Sequence, residues 1–325
     1  MPISQLHTGH NVLFESGSGL ISQISSLTYS TNTEILDGFS NGCPERLFAG
    51  VMKQMHEFQF TTSQLLTVLT YLDFTGFYTY CPSSVVYVYF REMVNCGVRF
   101  DSGFATHINA EMLRPFMVLD SIEVSQDSEA SGEVKLLPIY DGIIEPVGWN
   151  DFGTLGGACA STQHYVPGPV FLGGVGEIDG VQRIRIDFNT NLHEHSAKGD
   201  PWPCWIGVKD HAPRVTIDVF DMPQVVKTAI AGVSVGGPGG ANPRSARFYL
   251  RRMENLSNTG FDGRYDDAES EHLQFDTIFA LLHIGELSYS GPNEEVITQM
   301  VFETVAVSPN TAPLGNLVNQ TITAP

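Results

Sequence analysis

The sequence predicts a mainly β fold: two tandem β-sandwich or barrel domains, each with one flanking helix. Three observations carry that expectation. Short runs of β-branched and aromatic residues alternate with polar ones along much of the chain. Four segments of the first half recur in the second, in the same order. One stretch of helical period stands at the corresponding place in each half.

The alternating runs are "VVYVYF" (Val85–Phe90), "SIEVS" (Ser121–Ser125), "EVKLLPIY" (Glu133–Tyr140), "RIRIDF" (Arg183–Phe188), "RVTIDVF" (Arg214–Phe220) and "RFYLRRM" (Arg247–Met253). Residues of these types suit a pleated, half-buried surface. In "RIRIDF" the period of two sends Ile184, Ile186 and Phe188 to a core face. It sends Arg183, Arg185 and Asp187 to a wet or interfacial one.

The helix of the first half is predicted in "TTSQLLTVLTYLD", with Thr62 or Ser63 as N-cap. Leu65, Leu66, Leu69 and Leu72 share one side at helical spacing, and Leu66, Leu69 and Tyr71 press onto a sheet. Gln224 to Ile230 is the shorter counterpart in the second half. Turns fall at "SNG", "SGPNEE", "GGPGGANP" and "NTGFDG", where Gly, Asn and Asp supply the needed backbone freedom.

The recurrence sets the domain organisation. "ISQISSLTYSTNTE" from Ile21 answers to "VQRIRIDFNTNLHE" from Val181, with Tyr29 on Phe188, Asn32 on Asn191 and Glu34 near Glu194. Pro44, Phe48, Gly50 and Val51 answer to Pro201, Trp205, Gly207 and Val208, and Phe58 and Phe60 to Val215 and Ile217. Tyr89, Arg91 and Met93 answer to Tyr249, Arg251 and Met253, and His107, Ile122 and Val124 to His272, Leu287 and Tyr289. The expected division is a first β domain over residues 12–147 and a Gly-rich linker over 148–169. A second β domain then covers 170–307, and an extended C-terminal arm 308–325.

Among the 325 residues, Lys and Arg number 17 and Asp and Glu 36, for a net charge of −19. So acidic a chain does not attract nucleic acid or anionic lipid electrostatically. Only 16% of residues are charged, so Ser, Thr, Asn, Gln and Gly must cover much of the surface. Such a surface suits contact between subunits, because burying a charge is costly. Cys43, Cys81, Cys96, Cys159 and Cys204 are odd in number and widely spaced, and read as reduced, mostly buried thiols. The N-terminus has neither the basic nor the apolar region of a secretory signal. No apolar run nears the roughly 18 residues that span a membrane.

No phosphate-binding loop, nucleophile elbow, metalloprotease helix or paired-cysteine motif occurs. "GGVGEIDG" (Gly173–Gly180) and "GGPGG" (Gly236–Gly240) read as turns. His193 and His195 would share one face of a strand and could offer two ligands to Zn²⁺, but the first half has no such pair, and a solvated loop is expected. His107 and His272 each stand alone as hydrogen-bonded structural residues. "DGRYDDAESE" (Asp262–Glu271) lacks the alternation of a calcium loop. Trp205 reads as core, since Phe48 fills the same slot, and Trp202 as an interface anchor. No catalytic, cofactor-binding or metal-binding residue is assigned, no cofactor is expected, and an enzyme is not the expected class.

The strands "VQRIRIDFNTNL" and "PRVTIDVFD", together with the helix "TTSQLLTVLTYLD" after the strand Glu57–Phe60, resemble the tail-tube fold of bacteriophages. The resemblance covers most of the chain as a pattern of elements. It implies a virion structural protein of the siphophage type, with two fused tube domains. Three chains would form a pseudo-hexameric ring, and rings would stack into a hollow tube with an acidic lumen. Double-stranded DNA would pass through without specific binding. The implied partners are the chain itself and other tail proteins, with no membrane. The implied location is the virion tail after synthesis in the bacterial host cytoplasm. The alternative is a baseplate or capsid decoration protein whose aromatics, such as Tyr78, Tyr80 and Trp202, stack on carbohydrate.

Overall fold

The computed structural model describes residues 6–14, 19–39, 46–71, 77–80, 85–94, 98–99, 107–152, 164–173, 176–220, 244–253, 267–268, 270–288, 296–306, 308 and 312–323. They form a mainly β protein of large antiparallel sheets, with one helix among the described residues.

Strand β1 (Leu6–Phe14) pairs with β2 (Gly19–Ile21) on one side and β6 (Val85–Val94) on the other. β6 pairs with the short β7 (Val98–Arg99) and with β8 (His107–Leu113), and β8 with β11 (Val147–Phe152). A second layer begins with the long hairpin of β3 (Ile24–Phe39) and β4 (Arg46–Thr62). β4 pairs with β10 (Ser128–Leu137), and β10 with β9 (Phe116–Ser125). β5 (Tyr78–Tyr80) lines the start of β9.

The second half repeats these pairings. β12 (His164–Leu172) pairs with β13 (Gly176–Ile178) and with β18 (Arg244–Met253), as β1 does with β2 and β6. β18 pairs with the first part of β19 (His272–Ser288), which also holds β21 (Leu314–Gln320), as β6, β8 and β11 do. The rest of β19 pairs with β20 (Ile297–Val305), β20 with β17 (Arg214–Val219), and β17 with β14 (Val181–Asp187). That is the order of β9, β10, β4 and β3. A separate hairpin, β15 (Thr190–Ser196) with β16 (Pro203–His211), corresponds to the outer parts of β3 and β4.

Residues explain where the halves differ. Pro115 lies between β8 and β9, and Arg114 before it has φ 42°. Proline gives no N–H to a ladder, so one strand becomes two. The second half has no proline at that place, and β19 runs on for 17 residues. Pro213 interrupts in the same way between β16 and β17 where β4 is continuous.

The strand faces follow the alternation in the sequence. Ile184, Ile186 and Phe188 are buried, and the Arg183, Arg185 and Asp187 side is partly exposed. One hydrophobic cluster runs through both halves, from Val12, Phe58 and Leu119 to Ile217, Phe275 and Phe302. Helix α1 (Leu65–Tyr71) starts later than its expected cap: the Gln64 carbonyl accepts the Val68 N–H at 3.2 Å. Its buried side is Leu65, Val68 and Leu69, with Leu66 packed beside the core. Gly132 on β10 makes room for it, since a Cβ there would stand 2.6 Å from Leu65 Cδ2. Leu72 and the counterpart helix Gln224–Ile230 lie outside the described residues.

Three expected boundaries need correction. The first pairings begin before residue 12, at Leu6. The stretch 148–169, expected as linker, holds most of β11 and the first part of β12. Glycine richness there marks close backbone approach: a Cβ on Gly168 would lie 2.7 Å from the Tyr249 carbonyl oxygen. The stretch 308–325, expected as an extended arm, contains β21, and Ile322 packs with Phe171 and Tyr249.

The alignment of the first recurring pair also shifts. Tyr29 faces Phe58 and Ile186 faces Val215, so Tyr29 answers to Ile186 and not to Phe188. Likewise Ile35 answers to Leu192 and Asp37 to Glu194. At Tyr29 the slide is two, which keeps a side chain on its face, so alternation alone cannot fix it.

Candidate functional site: the joint between the halves

Among the described residues the two halves meet through paired strand edges, buried apolar side chains and ion pairs. The outer edge of β9 pairs with β14 from Ser121 to Ser125, with Ile122 opposite Ile186 and Val124 opposite Ile184. All four side chains are buried. On the other face Arg183 reaches Glu123 at 2.7 Å and Arg185 reaches it at 3.7 Å. Gln126 extends the seam, its N–H donating to the Gln182 carbonyl at 2.9 Å. The second layers of the two halves thus become one sheet, in the order β3-β4-β10-β9-β14-β17-β20-β19.

The β15–β16 hairpin adds to the joint by lying across the first half. Ile206, with Leu192 and Val208, packs on Phe116, Val118 and Leu137. Gln54 donates its N–H to the Pro201 carbonyl at 2.7 Å, and Tyr140 to the Pro203 carbonyl at 2.9 Å. The Tyr80 hydroxyl donates to the Ile206 carbonyl at 2.5 Å. Lys53 pairs with Glu194 at 2.8 Å, and Tyr140 packs on Trp202 with ring centroids 5.1 Å apart. A cleft of about 700 Å³ remains between hairpin and first half, lined by Tyr80, Leu113, Arg114, Tyr140 and Lys198.

Phe77 and Phe188 hold the centre, with centroids 4.3 Å apart. His211 closes the end of β16, its ring 6.5 Å from Phe77 and its Nδ1 2.8 Å from Thr190 Oγ1. Burial pushes the His211 imidazole down from 6.5 to about 4. The unfolded chain therefore takes up a proton between those values that the fold resists. Stability from this group is full above pH 6.5 and is lost as pH falls toward 4. We expect the melting temperature of wild type to exceed that of His211→Gln most above that window. The gap should narrow steadily as pH falls through it, and a pH-independent gap would contradict the assignment.

His193 and His195 sit on strand β15 and not on a loop, side by side with ring centroids 4.3 Å apart. Among the described residues no group of three or more His, Cys, Asp and Glu is placed to hold a metal ion. His107 and His272 are buried at corresponding places, and the Arg252 N–H donates to His272 Nδ1 at 3.2 Å. Trp205 is not core: it is 46% exposed and its counterpart Phe48 is 56% exposed. Each ring instead lies over the glycine two residues on, Gly207 and Gly50, on the outward face of its hairpin. Tyr78 packs on Phe116 and His211, and with Tyr80 and Trp202 it belongs to the joint. Cys204 is a partly buried free thiol, and the other four cysteines lie outside the described residues. Of the acidic stretch, Asp267 and Glu271 pair with Arg251 and Arg252. "GGPGG" lies outside the described residues. No helix among the described residues is long and apolar enough to cross a membrane.

The edge-on-edge seam was missed in the sequence. Its only trace was that Ile122 and Val124 on one strand, and Ile184 and Ile186 on the other, are flanked by Glu123, Arg183 and Arg185 of opposite charge.

Fold and joint together define a mainly β protein whose like-connected halves are spliced edge to edge. No known family model matches the chain, and no curated protein matches it at a significant level.

Proposed function

We propose that this chain is a structural virion protein, a tail-tube subunit built of two tandem tube-type domains. One observation supports it above others. The joint uses the β9 edge of one half and the β14 edge of the other, and the corresponding edges are β19 and β3. From Ser26 to Ser30, β3 has no partner on its outer side among the described residues, and neither does the outer part of β19. They stand at opposite ends of the spliced sheet.

An edge that accepts its own counterpart makes a heterologous contact, which closes a ring or runs on as a filament. With two domains per chain, three chains give a six-domain ring. Closure also removes the free edges that would otherwise invite uncontrolled pairing. The net charge of −19 suits a lumen that repels the phosphate backbone, so DNA slides through without being held. The partners are other copies and other tail proteins, the location is the virion tail, and no catalytic step is assigned. A carbohydrate-binding decoration protein has less support, since Tyr78, Tyr80 and Trp202 are engaged in the joint.

Sedimentation and electron microscopy of the purified chain test the proposal. Three-chain rings that stack into tubes are expected. A monodisperse monomer at all concentrations would overturn it.

A further inference from the structure

We propose that the outer part of the β3–β4 hairpin straps across the second half of the next chain, burying Ile35 and Val51 against Leu281 and Val305. The inference rests on the ring reading above and adds to it a particular contact surface.

A contact of this kind is already made inside the chain. Leu192 and Val208 face each other on β15 and β16, and they pack with buried Ile206 onto Phe116, Val118 and Leu137. Ile35 and Val51 face each other at the corresponding places on β3 and β4. They are 54% and 52% exposed. The surface that would receive them is also open. Strand pairing makes Leu281 the counterpart of Phe116, and Val305 the counterpart of Ile139 beside that cluster. Leu281 and Val305 are 42% and 45% exposed. Ile35, Val51, Leu281 and Val305, the counterparts of residues that meet within the chain, are thus all exposed, with Ala49 in the place of buried Ile206. The occupant that fits is a second copy.

The strap would be weaker between chains than within one. Where Phe116, Val118, Leu137 and Ile139 receive the inner hairpin, the counterparts are Leu281, His283, Glu303 and Val305. The Lys53–Glu194 ion pair has Asp210 and Asp37 as counterparts, two acids in place of an attraction. The apolar centre must therefore carry the contact.

The test compares assembly of single variants by sedimentation over a concentration series, with circular dichroism to follow folding. Val51→Glu and Leu281→Glu place a charge in the contact and should raise the concentration needed for assembly by at least about tenfold. Leu36→Glu, on the opposite face of the hairpin, should assemble like wild type. Asp37→Lys restores the opposite-charge pair with Asp210 and should lower that concentration roughly two- to fivefold. If Val51→Glu and Leu281→Glu assemble like wild type, the strap is wrong while the ring reading stands. The strap is equally wrong if Asp37→Lys weakens assembly. A wild-type chain that never assembles overturns both.

Discussion

Phe188→Ala should lower the stability of the chain by about 3–5 kcal/mol, the usual cost of removing a buried phenyl ring. Phe188 is fully buried and its ring packs on Phe77 of the other half. Phe77 in turn stacks toward Phe275 at 6.4 Å. The Phe188 N–H also donates to the Asp120 carbonyl at 2.9 Å. That bond survives the substitution, so the change isolates the ring. Neighbours from both halves cannot all move in at once, which keeps the cavity open and the cost near the upper end. Urea unfolding measures it as a fall in the transition midpoint, with the slope reporting whether the halves still unfold together. A loss under about 1 kcal/mol would mean that the ring is less enclosed than described.

The second large effect is expected at Gly168. The strand pair β12–β18 shifts register between Pro167 and Val170, and Gly168 lies in that shift against the Tyr249 backbone. A Cβ would meet the Tyr249 carbonyl oxygen at 2.7 Å and its Cβ at 2.9 Å. Main chain cannot swing aside as a side-chain tip can. Gly168→Val should cost about 2–3 kcal/mol, by the overpacking of a filled site. The disturbance should also reach the C-terminal segment, because the Thr323 N–H donates to Tyr249 Oη at 3.2 Å. Faster amide exchange at residues 321–323, beyond the general loss of stability, is the specific signature. Gly142 has nothing within 4 Å of its would-be Cβ, but its φ of 91° strains any other residue, so a fair control is Gly148, whose nearest neighbour is 3.9 Å away.

Much of the fold was legible. Alternation in "RIRIDF" and "RVTIDVF" gave both the strands and their buried faces, because a period of two is a direct record of which side meets the core. His107 with His272, and Tyr89 with Tyr249, took corresponding places on paired strands. The two-residue slide near Tyr29 was not legible, since the face of each residue is the same either way. Nor was the strand character of residues 148–152 and 164–169. Glycine and proline there read as turn punctuation, although in the fold they admit a neighbouring backbone and a bulge. Trp205 misled for a related reason. A large aromatic recurring as Phe48 suggests a core slot, yet on both hairpins it shields a glycine on the outside. The seam between β9 and β14 depends on how two edges meet in space, and local sequence says little about that.

Because β9 and β14 belong to one polypeptide, their union is a unimolecular event. Dilution does not reverse it, and it is complete when folding is complete. The two edges can also drift apart in composition, since each is encoded separately. Charged residues have gathered on the tethered seam as Glu123, Arg183 and Arg185, while the matching places on the open edges hold Ser288, Ser26 and Thr28. Substitution can thus tune the β9–β14 seam without altering the β3 and β19 edges, a freedom denied to a chain with one such domain.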